Sequence, residues 1–137
     1  MHLVIIGFDD IVINKYMEII NKYISNNTLE GYYIFDLESQ KYQIEKKLLC
    51  LQIKPTEAFY LNVENWKEDF TKKIRIIKNE YKVYIATEAR CHYFYLEWCI
   101  RNKVDVLVEK PVFVFNGTDN FEPDYIVRDA QRLIDLS

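Results

Sequence analysis

The sequence predicts an α/β domain: a doubly wound parallel sheet of five strands in the order 3-2-1-4-5, forming a single three-layer unit over residues 1–137. Three observations predict it. Short apolar runs alternate with helical periodicities along the chain, the pattern of strands joined by crossover helices. The first run, His2 to Ile6, is mostly apolar, as a strand covered on both faces must be. Polar residues gather where the strands end, which in an open parallel sheet is where ligands bind: Gly7, Asp36, Thr87, His92 and Glu109-Lys110-Pro111.

After the first strand, Asp9 or Asp10 can cap a helix by accepting free backbone N–H groups. Ile13, Met17, Ile20 and Ile24 recur at helical spacing and form its buried stripe, over about residues 10 to 25. Tyr32 to Phe35 is the second strand, with Asp36 at its carboxyl end. A helix follows from about 38 to 53, closed by Pro55, which cannot continue it. Ala58 to Leu61 is the third strand, and Asn62 or Glu64 begins the next helix. Trp66, Phe70, Ile74 and Ile77 fall on one face of that helix. Lys82 to Ala86 is the fourth strand. The helix from His92 to Arg101 is apolar almost all round and calls for cover on both sides. Val104 to Val108 is the fifth strand, broken by Pro111. Val112 to Glu122 reads as a loop, although Val112 to Phe115 could add a short apolar strand. A last amphipathic helix runs from Asp124 to Leu136 through Ile126, Val127, Ala130, Leu133 and Ile134.

The composition is that of an ordinary globular domain, half hydrophobic and 28% charged, with a net charge of -3. The densest basic cluster, Lys72, Lys73 and Arg75 with Lys78, reads as a solvated helix face, because nucleic-acid binding needs a larger basic footprint. No run approaches the ~20 apolar residues of a membrane span, and the opening apolar run is too short for a signal peptide. The expectation is a cytoplasmic protein with no nucleic-acid or membrane partner. The 3 cysteines, Cys50, Cys91 and Cys99, have no metal-ligand spacing and read as reduced thiols. Cys50 and Cys99 lie in apolar stretches and are expected in the core. With only 2 histidines, far apart, no metal site is expected.

The candidate site residues follow from the strand ends. Gly7 is the one survivor of a G-x-G-x-x-G loop, whose second and third glycine positions are here Asp9 and Val12. The second glycine lets a pyrophosphate approach the backbone. A carboxylate there would repel it by ~1 to 4 kcal/mol at about 4 Å, depending on screening. The loop is either a modified dinucleotide loop or a capped turn that binds nothing. Asp36 stands where an acid accepts both hydroxyls of an adenosine ribose and would favour NAD over NADP; equally, it suits a solvated turn or a helix cap. His92 either hydrogen-bonds a ligand or fixes the loop, or it simply caps or begins a helix. Lys110 either orients a hydroxyl and helps move its proton, with Glu109 holding it, or forms a surface ion pair. Cys91 beside His92 makes no nucleophile–base pair, since helix neighbours do not face each other.

Taken together, Ala86-Thr87-Glu88-Ala89-Arg90-Cys91-His92 and Val106-Leu107-Val108-Glu109-Lys110-Pro111 resemble the glucose-fructose oxidoreductase, inositol dehydrogenase and rhizopine catabolism (Gfo/Idh/MocA) family. Its members show a Thr-Pro turn, a histidine a few residues on, a helix, and a strand ending in Glu-Lys-Pro. The resemblance implies an N-terminal Rossmann domain that binds NAD or NADP. By position, Gly7, Phe8, Asp9 and Ile11 would line the phosphate loop and Asp36 would meet the ribose. Thr87 and His92 would line the cofactor cleft. Glu109, Lys110 and Pro111 would lie near the nicotinamide, with Lys110 as the catalytic candidate contacting substrate. Relatives move hydride between a sugar or cyclitol carbon and the nicotinamide, using a second α/β domain absent from this sequence. The chain departs from the pattern at Asp9, Val12 and Glu88, which stands where the proline of the turn is usual. The expectation is a domain needing a separate substrate-binding domain or subunit. The alternative is a degenerate Rossmann domain serving as a weak nucleotide-binding or protein-interaction module.

Overall fold

The computed structural model describes residues 1–110, 112 and 123–137. Its five parallel strands are β1 (His2–Ile6), β2 (Gly31–Leu37), β3 (Glu57–Leu61), β4 (Tyr81–Ile85) and β5 (Val106–Val108). They are ordered β3-β2-β1-β4-β5, as the sequence predicts. The helices are α1 (Met17–Ser25), α2 (Lys41–Leu48), α3 (Trp66–Lys73), α4 (His92–Arg101) and α5 (Pro123–Leu136). A π-helical segment, Val12–Tyr16, leads into α1.

β1 is central because it is apolar on both faces. Val4, Ile5 and Ile6 are at most 1% exposed. Its register sets Ile5 against Ile34 of β2 and Tyr84 of β4. Alternate side chains feed two cores. Ile5, Tyr32, Ile34 and Tyr84 pack with Met17 and Ile20 of α1 and Ile44 of α2. Val4, Ile6, Phe35, Phe59 and Ile85 pack on the other side with Phe70 of α3, Tyr95, Leu96 and Cys99 of α4, and Leu133 of α5. The sheet thus carries helices on both faces. Its winding reverses between β1 and β4, which opens a crevice at their carboxyl ends.

Several boundaries differ from the sequence expectation. α2 stops at Leu48 rather than running to 53. The Lys54 ammonium donates to the Leu48 and Leu51 carbonyls, capping a chain that has left the helix. Leu49 is consequently 79% exposed, and Cys50 is exposed rather than in the core. Cys99 is fully buried, and burial pushes its thiol up to about 12. α3 begins at Trp66, because Asn62 Oδ1 first accepts the Glu64 and Asn65 N–H groups in a turn. β5 is shorter than expected, at three residues. Ile134 of α5 is exposed, while Leu133 carries the packing. Pro111 and the expected loop at 113–122 lie outside the described residues.

Candidate functional site

At the carboxyl ends of β1 to β4 lies an open cleft of about 760 Å³, within the range of small-molecule sites. Its floor is the turn after β1. Gly7 has φ +89° and donates its N–H to Phe35 O at 2.8 Å, continuing the sheet pairing. A Cβ at Gly7 would lie 2.7 Å from both Thr87 N and Thr87 Cα. The glycine therefore serves the close approach of two chain segments, the β1 turn and the turn after β4.

Asp36 sits near the end of β2 and faces this turn. Its Oδ2 accepts the Phe8 N–H at 2.8 Å and its Oδ1 accepts the Leu37 N–H at 2.7 Å. Burial holds its carboxyl above the ordinary carboxylate value; the two N–H donors pull the other way, and the charge of Asp9 adds to the rise. Asp9 is exposed at the cleft edge, with its Oδ1 accepting the Val12 N–H at 3.0 Å as a helix cap. The remaining cleft walls come from α2 through Ile44 and Lys47, from the β3 end through Leu61 and Val63, from α3 through Trp66 and Lys67, and from the turn and helix after β4 through Glu88, Arg90, Cys91, Phe94 and Tyr95. Burial pushes the Cys91 thiol up, the direction opposite to a reactive thiolate.

The structure brings Gly7, Phe8, Asp9, Asp36 and Thr87 together around the cleft. The ring of Phe8 is buried in the core beside Val12, so its backbone is what the cleft sees. Four other candidates stand elsewhere. Ile11 is 52% exposed and does not line the cleft. His92 is 1% exposed behind the wall. Its Nε2 lies 2.8 Å from Thr87 O and its Nδ1 3.1 Å from Val112 O, so the ring ties the turn after β4 to the chain beyond β5. Glu109 accepts a hydrogen bond from the Tyr84 hydroxyl, and a second from Tyr16. These bonds hold its carboxyl below the usual carboxylate value. Lys110 is exposed beside it and does not line the cleft. Pro111 lies outside the described residues.

Sequence reasoning does not anticipate the aromatic wall. It assigns Trp66 to the buried stripe of α3, yet Trp66 is the first helical residue after β3 and so stands beside the strand ends. That position was the available signal. Among the described residues no cluster of His, Cys, Asp and Glu could hold a metal ion, and no helix is long and apolar enough to cross a membrane.

No protein-family model matches the chain, and no curated protein matches it in sequence. Among solved structures it is similar to the crystal structure of a protein titled "probable oxidoreductase yhhX". The match covers 99% of this chain with a TM-score of 0.52 at 17% sequence identity. The chain spans 32% of that protein's length. At this identity the likeness shows the fold, which is Rossmann-like.

Proposed function

We propose that this chain is the nucleotide-binding Rossmann domain of a Gfo/Idh/MocA-type oxidoreductase, with a nicotinamide dinucleotide as its ligand. The observation that supports it is the cleft itself: a crevice at the winding reversal with a carboxylate, Asp36, at the β2 end. In this reading Asp36 takes the adenosine ribose. Each of its oxygens accepts one N–H bond, and a carboxylate oxygen has capacity for another. A carboxylate there favours NAD over NADP, because it would repel a 2′-phosphate. Val63 and Leu37 offer apolar surface to the base.

The fit is uneven. The nucleoside half meets suitable residues, whereas the pyrophosphate half meets the carboxylates of Asp9 and Asp36 on the amides that would cradle it. We therefore assign no hydride-transfer step to this chain. When bound, a nicotinamide would supply the hydride chemistry, on a sugar or cyclitol hydroxyl as in the family it resembles. Lys110, exposed after β5, is the side chain we assign to contact that substrate. A second domain or subunit would complete the substrate side.

Trp66 lines the cleft and provides the readout. Titration with NADH should quench tryptophan fluorescence saturably. Asp36→Ala should weaken binding roughly tenfold, the loss of a charge-assisted hydrogen bond of ~1.5 kcal/mol. A second reading, a non-catalytic interaction module, draws on the same capped loop amides. Absence of NADH binding at millimolar concentration would select it and reject the first.

A further inference from the structure

Asp9 occupies the position where a dinucleotide loop carries its second glycine. Its carboxylate accepts the Val12 N–H, and that of Asp36 accepts the Phe8 N–H. Both line one cleft. Two backbone donors of the turn are thus already satisfied by anions belonging to the chain. The two acids sense each other, since the charge of Asp9 adds to the upward push that burial gives Asp36. Nearby cations do not neutralise Asp9, because they are engaged with other groups. Lys47 Nζ lies 2.8 Å from Asp10 Oδ1, Arg90 Nε lies 2.5 Å from Glu88 Oε2, and Lys67 lies 5.4 Å from the centre of the Trp66 ring.

We propose that Asp9 is a specificity determinant of the cleft: its carboxylate takes the place of a ligand phosphate on the turn, so the cleft favours an uncharged adenine nucleoside over the same nucleoside bearing phosphates. The proposal rests on the ribose half of the nucleotide reading above and narrows it: a dinucleotide would be held through its nucleoside, with its phosphates disfavoured. A phosphate entering the turn must approach a fixed carboxylate and compete for donors already used. A ribose hydroxyl, which can donate to a carboxylate, meets neither obstacle. Asp9 is exposed, so water and salt screen the repulsion and limit its size.

The test uses adenosine and ADP, titrated against the full chain and its Asp9→Asn variant with tryptophan fluorescence as the readout. Asparagine keeps an oxygen to cap Val12 and removes the charge. Asp9→Ser, another uncharged helix cap, is the second variant should the first fail to fold. The native chain should bind adenosine at least as tightly as ADP. Either variant should strengthen ADP binding roughly tenfold, about 1.4 kcal/mol, and leave adenosine within about twofold. Raising the salt concentration should shrink the ADP difference between native and variant. An unchanged ADP affinity with adenosine binding intact overturns the proposal and leaves the nucleotide reading standing. If neither ligand binds native or variant protein at millimolar concentration, the nucleotide reading fails and the proposal falls with it.

Discussion

Gly7 illustrates how one residue can carry two explanations with different consequences. As the remnant of a glycine loop it points to a cofactor; in the structure it is required by the Thr87 backbone, which a Cβ would meet at 2.7 Å. Its φ of +89° is also one that side-chain-bearing residues rarely adopt. Gly7→Ala should therefore destabilise the fold by more than about 2 kcal/mol, the sum of backbone strain and overpacking, read as a lower urea midpoint. A native midpoint in the variant would show that the turn yields, and would return Gly7 to a purely ligand-related role. His92 makes a similar point. From its sequence position it could meet a ligand, fix the loop or begin a helix; in the structure its two ring nitrogens face the Thr87 and Val112 carbonyls, so it fixes the loop. Sequence places such a residue near a strand end and leaves open which way its ring turns.

The elements were largely legible because apolar periodicity reports burial directly. Val4 to Ile6 pack on both faces of the sheet, and Phe70, Ile74 and Ile77 are buried as their spacing suggests, although α3 stops at Lys73, Ile74 lies in a 3-10 turn and Ile77 is extended. Legibility failed where a side chain ends an element without a sequence mark. Leu49 and Leu51 continue the apolar content of α2, and only the Lys54 ammonium on the Leu48 carbonyl shows where the helix has stopped. Packing between elements was also hidden. Phe70 is fully buried, and its ring centre lies 5.2 Å from that of Phe35, 5.0 Å from Tyr95 and 5.3 Å from Trp98. One α3 side chain therefore joins β2 to α4. Phe70→Ala should cost ~3 to 5 kcal/mol, because the surrounding rings belong to two separate elements, β2 and α4, and cannot all close on the void. A loss below about 1 kcal/mol on urea denaturation would mean that α3 is not anchored there.

At the scale of the whole molecule, the acid groups act on stability with opposite signs. Hydrogen bonds from Lys73 hold Asp69 below its ordinary value, Lys82 does the same for Asp105, and Tyr84 and Tyr16 do so for Glu109. A depressed carboxyl contributes stability above its unfolded value and loses it as pH falls through the folded one. All three are exposed enough for solvent to weaken the effect. Asp36 behaves oppositely. Burial raises its folded value above the ordinary 3.8, so the folded state holds its proton more tightly than the unfolded chain does. Its contribution is fully present below 3.8 and is lost as pH rises through the raised folded value. Replacing Asp36 with asparagine removes the one opposing group in this set. The lost acceptor also imposes a penalty, but that penalty is independent of pH and cancels when one pH is compared with another. Urea unfolding of the native chain and of Asp36→Asn at pH 7, 5 and 3 isolates the linkage. The native chain should gain stability relative to the variant as pH falls into the window just above 3.8. A relative loss over that window would show that the N–H bonds from Phe8 and Leu37 outweigh burial. Asp36 would then be held ionised on the turn more firmly than an ordinary carboxylate, by the two amides that it accepts.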